Sequence, residues 1–313
     1  MADARRRRLQ RIAMIALSVA GLTGFALAAL VIVPRGVIGA GGVGGGDAHA
    51  YWVAGRNLLA GADLYGLASG DQDAYLYPPP LAQLLAPVAG VLPAAAFIWL
   101  WRAFSIACLI VAAGGWRAAG IALLLFPPAV VELDAGNVSF QLAALCALVM
   151  RGRTAALPFA AVLKLAGAAA VPFALTRDWR QFVRGSVVAA VIVGVSVLLA
   201  PRLWLDYVAF LSTAQPLEYW TNLGRDIPLL PRLAAAGAIG VLAIRWRILL
   251  PAAFVLSMPI LGLHTLAILV AMLPPVVEWL RKRTDRWVAG VTPATAASLS
   301  EAAPVEPGAA LPA

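Results

Sequence analysis

Lysine, cysteine and histidine each occur only twice in 313 residues. Charged side chains make up 12% of the chain against 62% hydrophobic residues. A soluble globular chain carries roughly 25% charged and 45–50% apolar residues. So few charges cannot cover a water-facing surface, which excludes a soluble globular protein. A disordered chain is excluded as well, because disorder needs low hydrophobicity. Cys108 and Cys146 lie in apolar runs with no CxxC or Cys/His spacing. They read as small residues of an apolar environment, with neither a disulfide frame nor a metal site. No GxxxxGK(S/T), strand-linked GxGxxG, HExxH or GxSxG is present, so nucleotide binding and soluble-type hydrolysis have no foothold. What remains is a polytopic, all-α membrane protein with mean hydropathy +0.86. Its net charge of +9 is then a statement about topology and not about nucleic acid.

The first apolar run, Ile12–Val33, follows Arg5–Arg8 and Arg11. It has the length of a spanning helix and exceeds the 7–15 residues of a signal-peptide core. Later apolar runs are Ala94–Ala113, Arg117–Val131, Val138–Met150, Thr154–Leu175, Val183–Ala200, Leu229–Ile244, Ile248–Leu263 and Thr265–Leu280. A cytoplasmic N-terminus puts Arg117, Arg151, Arg153, Arg245, Arg247 and the basic run at Arg281–Arg286 on the cytoplasmic side. Thr154–Leu175 resists a single crossing, since Arg151/Arg153 before it and Arg177/Arg180/Arg184 after it both belong inside. It holds Pro158, Gly167 and Pro172, with Lys164 in the middle. A re-entrant or broken helical hairpin resolves the conflict, provided that it is buried in protein or lines a cavity. The expected architecture is about eight transmembrane helices plus this re-entrant unit and an outer amphipathic helix, with both termini cytoplasmic. Residues 1–291 form the membrane domain, with an outer loop at about 34–93, and 292–313 read as an Ala/Pro-rich disordered tail.

On this topology nine of the fifteen acidic residues fall in outer segments: Asp47, Asp63, Asp71, Asp73, Glu132, Asp134, Asp206, Glu218 and Asp226. Chemistry is therefore expected outside. DAHAYWVAGRNLLAG has helical spacing and reads as an amphipathic helix on the outer membrane surface, with Tyr51 and Trp52 at headgroup depth. Asp47 would be its N-cap or a functional acid. Tyr77-Pro78-Pro79-Pro80 reads as a rigid turn, and Leu81–Leu92 is too short to span. Glu132 and Asp134 read as caps or solvated groups, with cation binding as the other use. Trp204, Tyr207, Tyr219 and Trp220 are interfacial belt residues or sugar-stacking platforms.

The order of features carries a resemblance. A basic N-terminus and one span are followed by an outer Asp, an aromatic helix, L-x-x-G-x-x-L-Y (Leu58–Tyr65), Tyr77-Pro78-Pro79 and a Trp-rich second span. Gly136-Asn137 with Gln141, Arg151-x-Arg153 with Lys164, Asp178-Trp179-Arg180 and Ser257-Met258-Pro259 with His264 follow in order. The set resembles glycosyltransferase family 87, the polyprenyl-phosphate-dependent mannosyl- and arabinosyltransferases of the GT-C superfamily. In that family a proline closely follows the lysine, whereas here Lys164 and Pro172 are eight apart.

The resemblance implies a GT-C-like bundle in the cell (inner) membrane. The enzyme would move mannose or arabinofuranose from a polyprenyl-phosphate donor to a lipid-linked or cell-envelope glycan acceptor on the extracytoplasmic face. It further implies Asp47 as general base and His264 near the donor phosphate or acceptor. Lys164, Arg102, Tyr77, Asn137, Gln141 and Trp220 are the implied substrate contacts. From residue chemistry alone, His264 could equally be a packing residue, Lys164 could snorkel to the cytoplasmic face, and Arg102 could make a helix–helix contact. An intramembrane lysine carries a functional role by default. No cofactor or metal ligand set is expected beyond scattered carboxylates that could take a divalent cation, and no nucleic-acid partner. The competing class is a multi-span transporter or flippase gated by the Lys164 unit. Such folds show repeats and midplane charges in both halves, and neither is visible in the sequence.

Overall fold

The structure, a computed structural model, describes residues 2–37, 45–67, 71, 73–164, 167–213, 223 and 227–284. The Ala/Pro-rich tail at 292–313 lies outside them. Among the described residues every extended regular element is helical. In chain order these are α1 (Ala2–Val37), α2 (Gly46–Ala60), α3 (Pro79–Val91), α4 (Ala94–Ala113), α5 (Trp116–Leu125), α6 (Pro127–Ala135), α7 (Ser139–Met150), α8 (Leu157–Lys164), α9 (Val171–Leu199), α10 (Pro201–Thr213), α11 (Leu229–Leu242) and α12 (Leu250–Leu256), followed by a 3₁₀ stretch at Leu263–Met272. The chain divides into two compact units between Leu273 and Pro274. In the second, residues 274–284 are helical, and Lys282 pairs with Glu278 one turn back at 2.7 Å.

Large apolar side chains cover the exposed faces of α1 (Ile12, Ile15, Leu22, Leu30) and α9 (Val187, Val191, Leu198). Such surfaces are incompatible with water over this area, and the chain is a multi-pass membrane protein. Four helical runs are long and apolar enough to cross: Arg7–Val33, Ala94–Ala113, Ala168–Leu199 and Leu263–Thr284. The bent pair α5–α6 makes a fifth if it counts as one span. The sequence predicts about eight, and the shortfall has a geometric cause. At 1.5 Å per residue, a crossing of about 30 Å needs about 20 residues. Ser139–Met150, Leu229–Leu242 and Arg247–Leu256 are each shorter than 18 residues. The run Arg117–Val131 bends by 99° where Pro127 and Pro128 start a new helix.

The predicted broken unit is broken. After α8 the chain restarts at Gly167 with a 3₁₀ turn, Ala168–Ala170, and runs into α9. A second break lies inside α9, where Asp178 is non-helical (φ −158°, ψ 87°). Thr154, at the start of the unit, donates its hydroxyl to the Asp178 carbonyl at 2.6 Å. The unit therefore returns to where it started, and Arg151/Arg153 and Arg177/Arg180 can share one side.

α7 sits at the centre with nearly every side chain buried, packed on α4 and on the Leu263–Met272 stretch. α1 packs along α5 through glycines. A Cβ on Gly24 would fall inside the Gly120 carbonyl, and one on Gly120 inside the Gly21 carbonyl. Close backbone approach through small residues is the usual source of helix affinity in a bilayer, where apolar burial gives little. α2 lies against α3 and α4, and Tyr51 is fully buried in protein.

Candidate functional site

Three chain segments far apart in sequence meet at one side chain. The turn between α6 and α7 consists of Gly136, Asn137 and Val138. Gly136 adopts φ +69°, which favours glycine, and an added Cβ would strike the Ala48 methyl. α2 therefore lies directly on the turn and delivers the neighbouring Asp47. Asp47 is not the N-cap that the sequence suggests; Gly45 is, without a side-chain cap. The Asp47 carboxylate instead accepts a hydrogen bond from Asn137 Nδ2 at 2.9 Å. A local capping preference gave way to a partner 90 residues away.

The other end of the Asn137 amide is equally committed. Its Oδ1 accepts from Lys164 Nζ at 3.1 Å, from Tyr77 Oη at 3.1 Å and from the Val138 N–H at 2.7 Å. Three donors on one oxygen fix which way the amide faces. Lys164 ends α8, where the helix C-terminus favours a cation, and its ammonium lies 5.1 Å from the Tyr77 ring centre. It does not snorkel away from the protein. Tyr77 also accepts from Tyr51 Oη at 2.8 Å. Burial, and next to it the charge of Asp47 or the partner tyrosine, hold both phenols well above their ordinary range, so both stay neutral.

Glu132 is a member of this group that the sequence undervalues. It is only 1% exposed. Its Oε1 accepts from the Ser139 N–H at 2.7 Å, capping α7, while Oε2 is buried without a partner. Lys164 and Asp47 both act on it electrostatically. The available signal was its position four residues before Gly136, in a helix opened by two prolines. Trp101 adds a second brace by donating Nε1 to the Gly136 carbonyl at 2.7 Å.

His264 is half-buried at the start of the Leu263–Met272 stretch, within electrostatic reach of Lys164 and Asp47. Its ring packs on Gly262, where any Cβ would collide with the imidazole. Arg232 fixes the preceding turn by donating to the Met258 and Pro259 carbonyls at 3.0 and 2.9 Å.

The other expected contacts among the described residues make no hydrogen bond to this group. Arg102 is buried, stacks on Trp99 at 4.8 Å, and directs its guanidinium to the Leu133 and Asp134 carbonyls at 3.4 and 3.3 Å. Gln141 is buried one turn into α7 and donates to Ser105 Oγ at 3.1 Å. Trp204 donates to Ser196 Oγ, and Tyr207 packs on Tyr65. Trp220 and Tyr219 lie outside the described residues. His49, on α2, pairs with Asp73 at 2.7 Å and ties the 73–78 segment to that helix; sequence offered no signal for this pair. Among the described residues no three His, Cys, Asp or Glu side chains gather in a way that could hold a metal ion.

An open apolar cavity of about 910 Å³ runs between α3, α4, α7, α8 and α9. Leu81, Phe104, Leu145, Phe159 and Leu163 are among its walls. Pro80, Gln141 and Leu163, beside or one turn from Tyr77, Asn137 and Lys164, line it as well. So does Trp101, whose ring meets Tyr51 at 5.1 Å. The groove is almost wholly hydrocarbon, and Trp101 links its wall to the Tyr51–Tyr77–Asn137 chain, while Leu163 precedes Lys164 on α8.

The model of glycosyltransferase family 87 matches residues 75–302. The match takes in Tyr77, Glu132, Asn137, Lys164 and His264 and begins after Asp47. No curated protein and no solved structure matches the chain.

Proposed function

The chain belongs to glycosyltransferase family 87, and from that premise we propose that it transfers a sugar from a polyprenyl-phosphate donor to a membrane-proximal acceptor on the extracytoplasmic face. The observation that carries this is the convergence of Asp47 and Lys164 on the Asn137 amide, in a fold whose apolar groove is walled by Gln141 and Leu163, near neighbours in sequence of Asn137 and Lys164. On this reading the groove holds the isoprenoid tail and the phosphate is carried to Lys164. Asp47 spends one oxygen on Asn137 and keeps lone pairs for an incoming hydroxyl.

In the step, the acceptor hydroxyl gives its proton to Asp47 as its oxygen bonds to the anomeric carbon. The bond from that carbon to the phosphate oxygen breaks, and the electron pair leaves with polyprenyl phosphate. The Lys164 N–H groups not used on Asn137 stabilise the growing phosphate charge, and His264 supplies a further polar contact. Attack opposite the leaving group inverts the anomeric centre. Mannose and arabinofuranose are the sugars favoured by the family resemblance.

The test is direct. Purified protein given polyprenyl-phosphate mannose or arabinofuranose and a lipid acceptor should release polyprenyl phosphate and form the glycosylated acceptor. Asp47→Asn should lower kcat by about 10²–10⁴-fold, the range of general-base catalysis, while its thermal unfolding stays that of wild type. Full activity of that variant would refute the assignment of the base. Movement of donor across vesicles without sugar transfer would favour a flippase.

A further inference from the structure

We propose that Asn137 is a positioning residue that works as a spacer, keeping the carboxylate of Asp47 and the ammonium of Lys164 from closing into a direct ion pair. The inference rests on the transferase reading of the site and adds a residue whose task is to hold two reactive groups apart.

Asp47 and Lys164 carry opposite charges, both are half-buried, and they touch the two ends of one amide. In a poorly solvated site such charges attract far more strongly than in water. Direct contact would neutralise the base and consume the N–H groups that a phosphate needs. The Asn137 amide prevents this by satisfying each partner separately, with its N–H₂ on Asp47 and its oxygen on Lys164. The amide itself cannot swing aside. Tyr77 and the Val138 N–H hold its oxygen. Trp101 holds the carbonyl of Gly136, Glu132 caps Ser139, and Ala48 presses on Gly136. The other ionisable groups around Lys164, namely Glu132, His264 and Tyr77, are anchored on three further segments, and none of them lies between it and Asp47 in the hydrogen-bond chain. An aspartate or a serine could not do the same work. The first would repel Asp47, and the second is too short to reach both partners.

The spacer model makes a sign prediction that a merely structural residue does not. In the wild-type background Lys164→Gln lowers kcat and raises the donor KM, because a phosphate contact is lost. Asn137→Ala lets Lys164 fall onto Asp47 and lowers kcat by about a hundredfold, within the span of general-base effects. In the Asn137→Ala background, Lys164→Gln then leaves kcat unchanged or raises it, because it removes the cation that quenches the base. Asn137→Ser, which keeps a hydroxyl to bond the turn backbone, is carried in parallel as a variant gentler on folding, with the same expectation. All four combinations are assayed for kcat and donor KM with polyprenyl-phosphate sugar, alongside Asp47→Asn. Equal loss from Lys164→Gln in both backgrounds overturns the spacer, as does activity of Asn137→Ala or Asn137→Ser within threefold of wild type. If Asp47→Asn is active, the transferase assignment of the base fails instead, whatever the cycle shows.

Discussion

The Tyr51–Tyr77–Asn137 chain is a directional series of hydrogen bonds, and its direction predicts unequal effects for two chemically identical substitutions. Tyr51 donates to Tyr77, which donates to Asn137. Tyr51→Phe removes the first donor and leaves Tyr77 bonded to Asn137, a loss of about 0.5–1 kcal/mol for one ordinary hydrogen bond. Tyr77→Phe removes the acceptor for a hydroxyl that is fully buried on Tyr51 and breaks the bond to Asn137 as well. An orphaned buried hydroxyl costs about 1–3 kcal/mol, so the total is about 1.5–4 kcal/mol. The double Phe variant has no orphan, because Lys164 and Val138 still serve the Asn137 oxygen. Its loss should be about 1–2 kcal/mol, smaller than that of Tyr77→Phe alone. At about 2–4 °C per kcal/mol, Tyr77→Phe should lower Tm by about 3–16 °C and Tyr51→Phe by no more than about 4 °C. Intrinsic-fluorescence melting in detergent measures both. Because the folded phenols are held above the usual range and unfolded tyrosine ionises near about 10, neither state titrates below that. The order of the three variants should therefore be the same at pH 6 and pH 8. Equal shifts for the two single variants, or a double variant equal to their sum, would refute the assigned direction.

Three further outcomes follow from packing and from the groove. Cys108 lines the groove whereas Cys146 is buried. Cys108→Trp should therefore raise the KM for a long-chain polyprenyl donor several-fold while sparing a short-chain analogue, as initial rates with both donors would show. Gly262→Ala should displace the His264 ring and lower kcat by about tenfold or more, if the imidazole acts in the transfer, with a Tm change under about 5 °C; an unchanged kcat would remove His264 from the step. Gly120→Leu should separate α1 from α5, since the glycine backbones touch, and abolish recovery of monodisperse protein in size-exclusion chromatography. Ala118→Leu, on the same helix but half-buried, is the milder control.

Much of the helix pattern is legible in the sequence because its punctuation is local. Pro93 and Gly114 bracket Ala94–Ala113, and the structure starts and stops the helix at those residues. The break around Lys164 was legible from charge, since arginines on both sides of one apolar run cannot lie on opposite faces without cost, and the Thr154–Asp178 contact shows the two ends together. Hydropathy fails for the span count because it measures composition and not length of unbroken helix. Ser139–Met150 is as apolar as a span yet ends after 12 residues, buried by protein where a span would meet lipid. The proline pair after Phe126 carried the information needed to cut Arg117–Val131, and it was outweighed by the apolar residues around it.

The site was legible to the extent that its members are unusual types in unusual places. Lys164 stands out as a cation within an apolar run, and His264 as one of two histidines. Asn137, Tyr77 and Asp47 stand out through ordered motifs. Glu132 does not stand out, because a carboxylate near a predicted loop defaults to solvent. Its surroundings are Ser139 at the α7 terminus, across the Gly136 turn, and Lys164, which no local window of sequence contains. The same holds for the relation between Asp47 and Lys164. Each residue is visible alone, but their separation by one amide depends on three segments meeting at Asn137. On the proposed reading, the transfer depends on distances that the turn at Gly136 sets. Changes to that turn, more than changes to the groove, should alter kcat without altering which lipid binds.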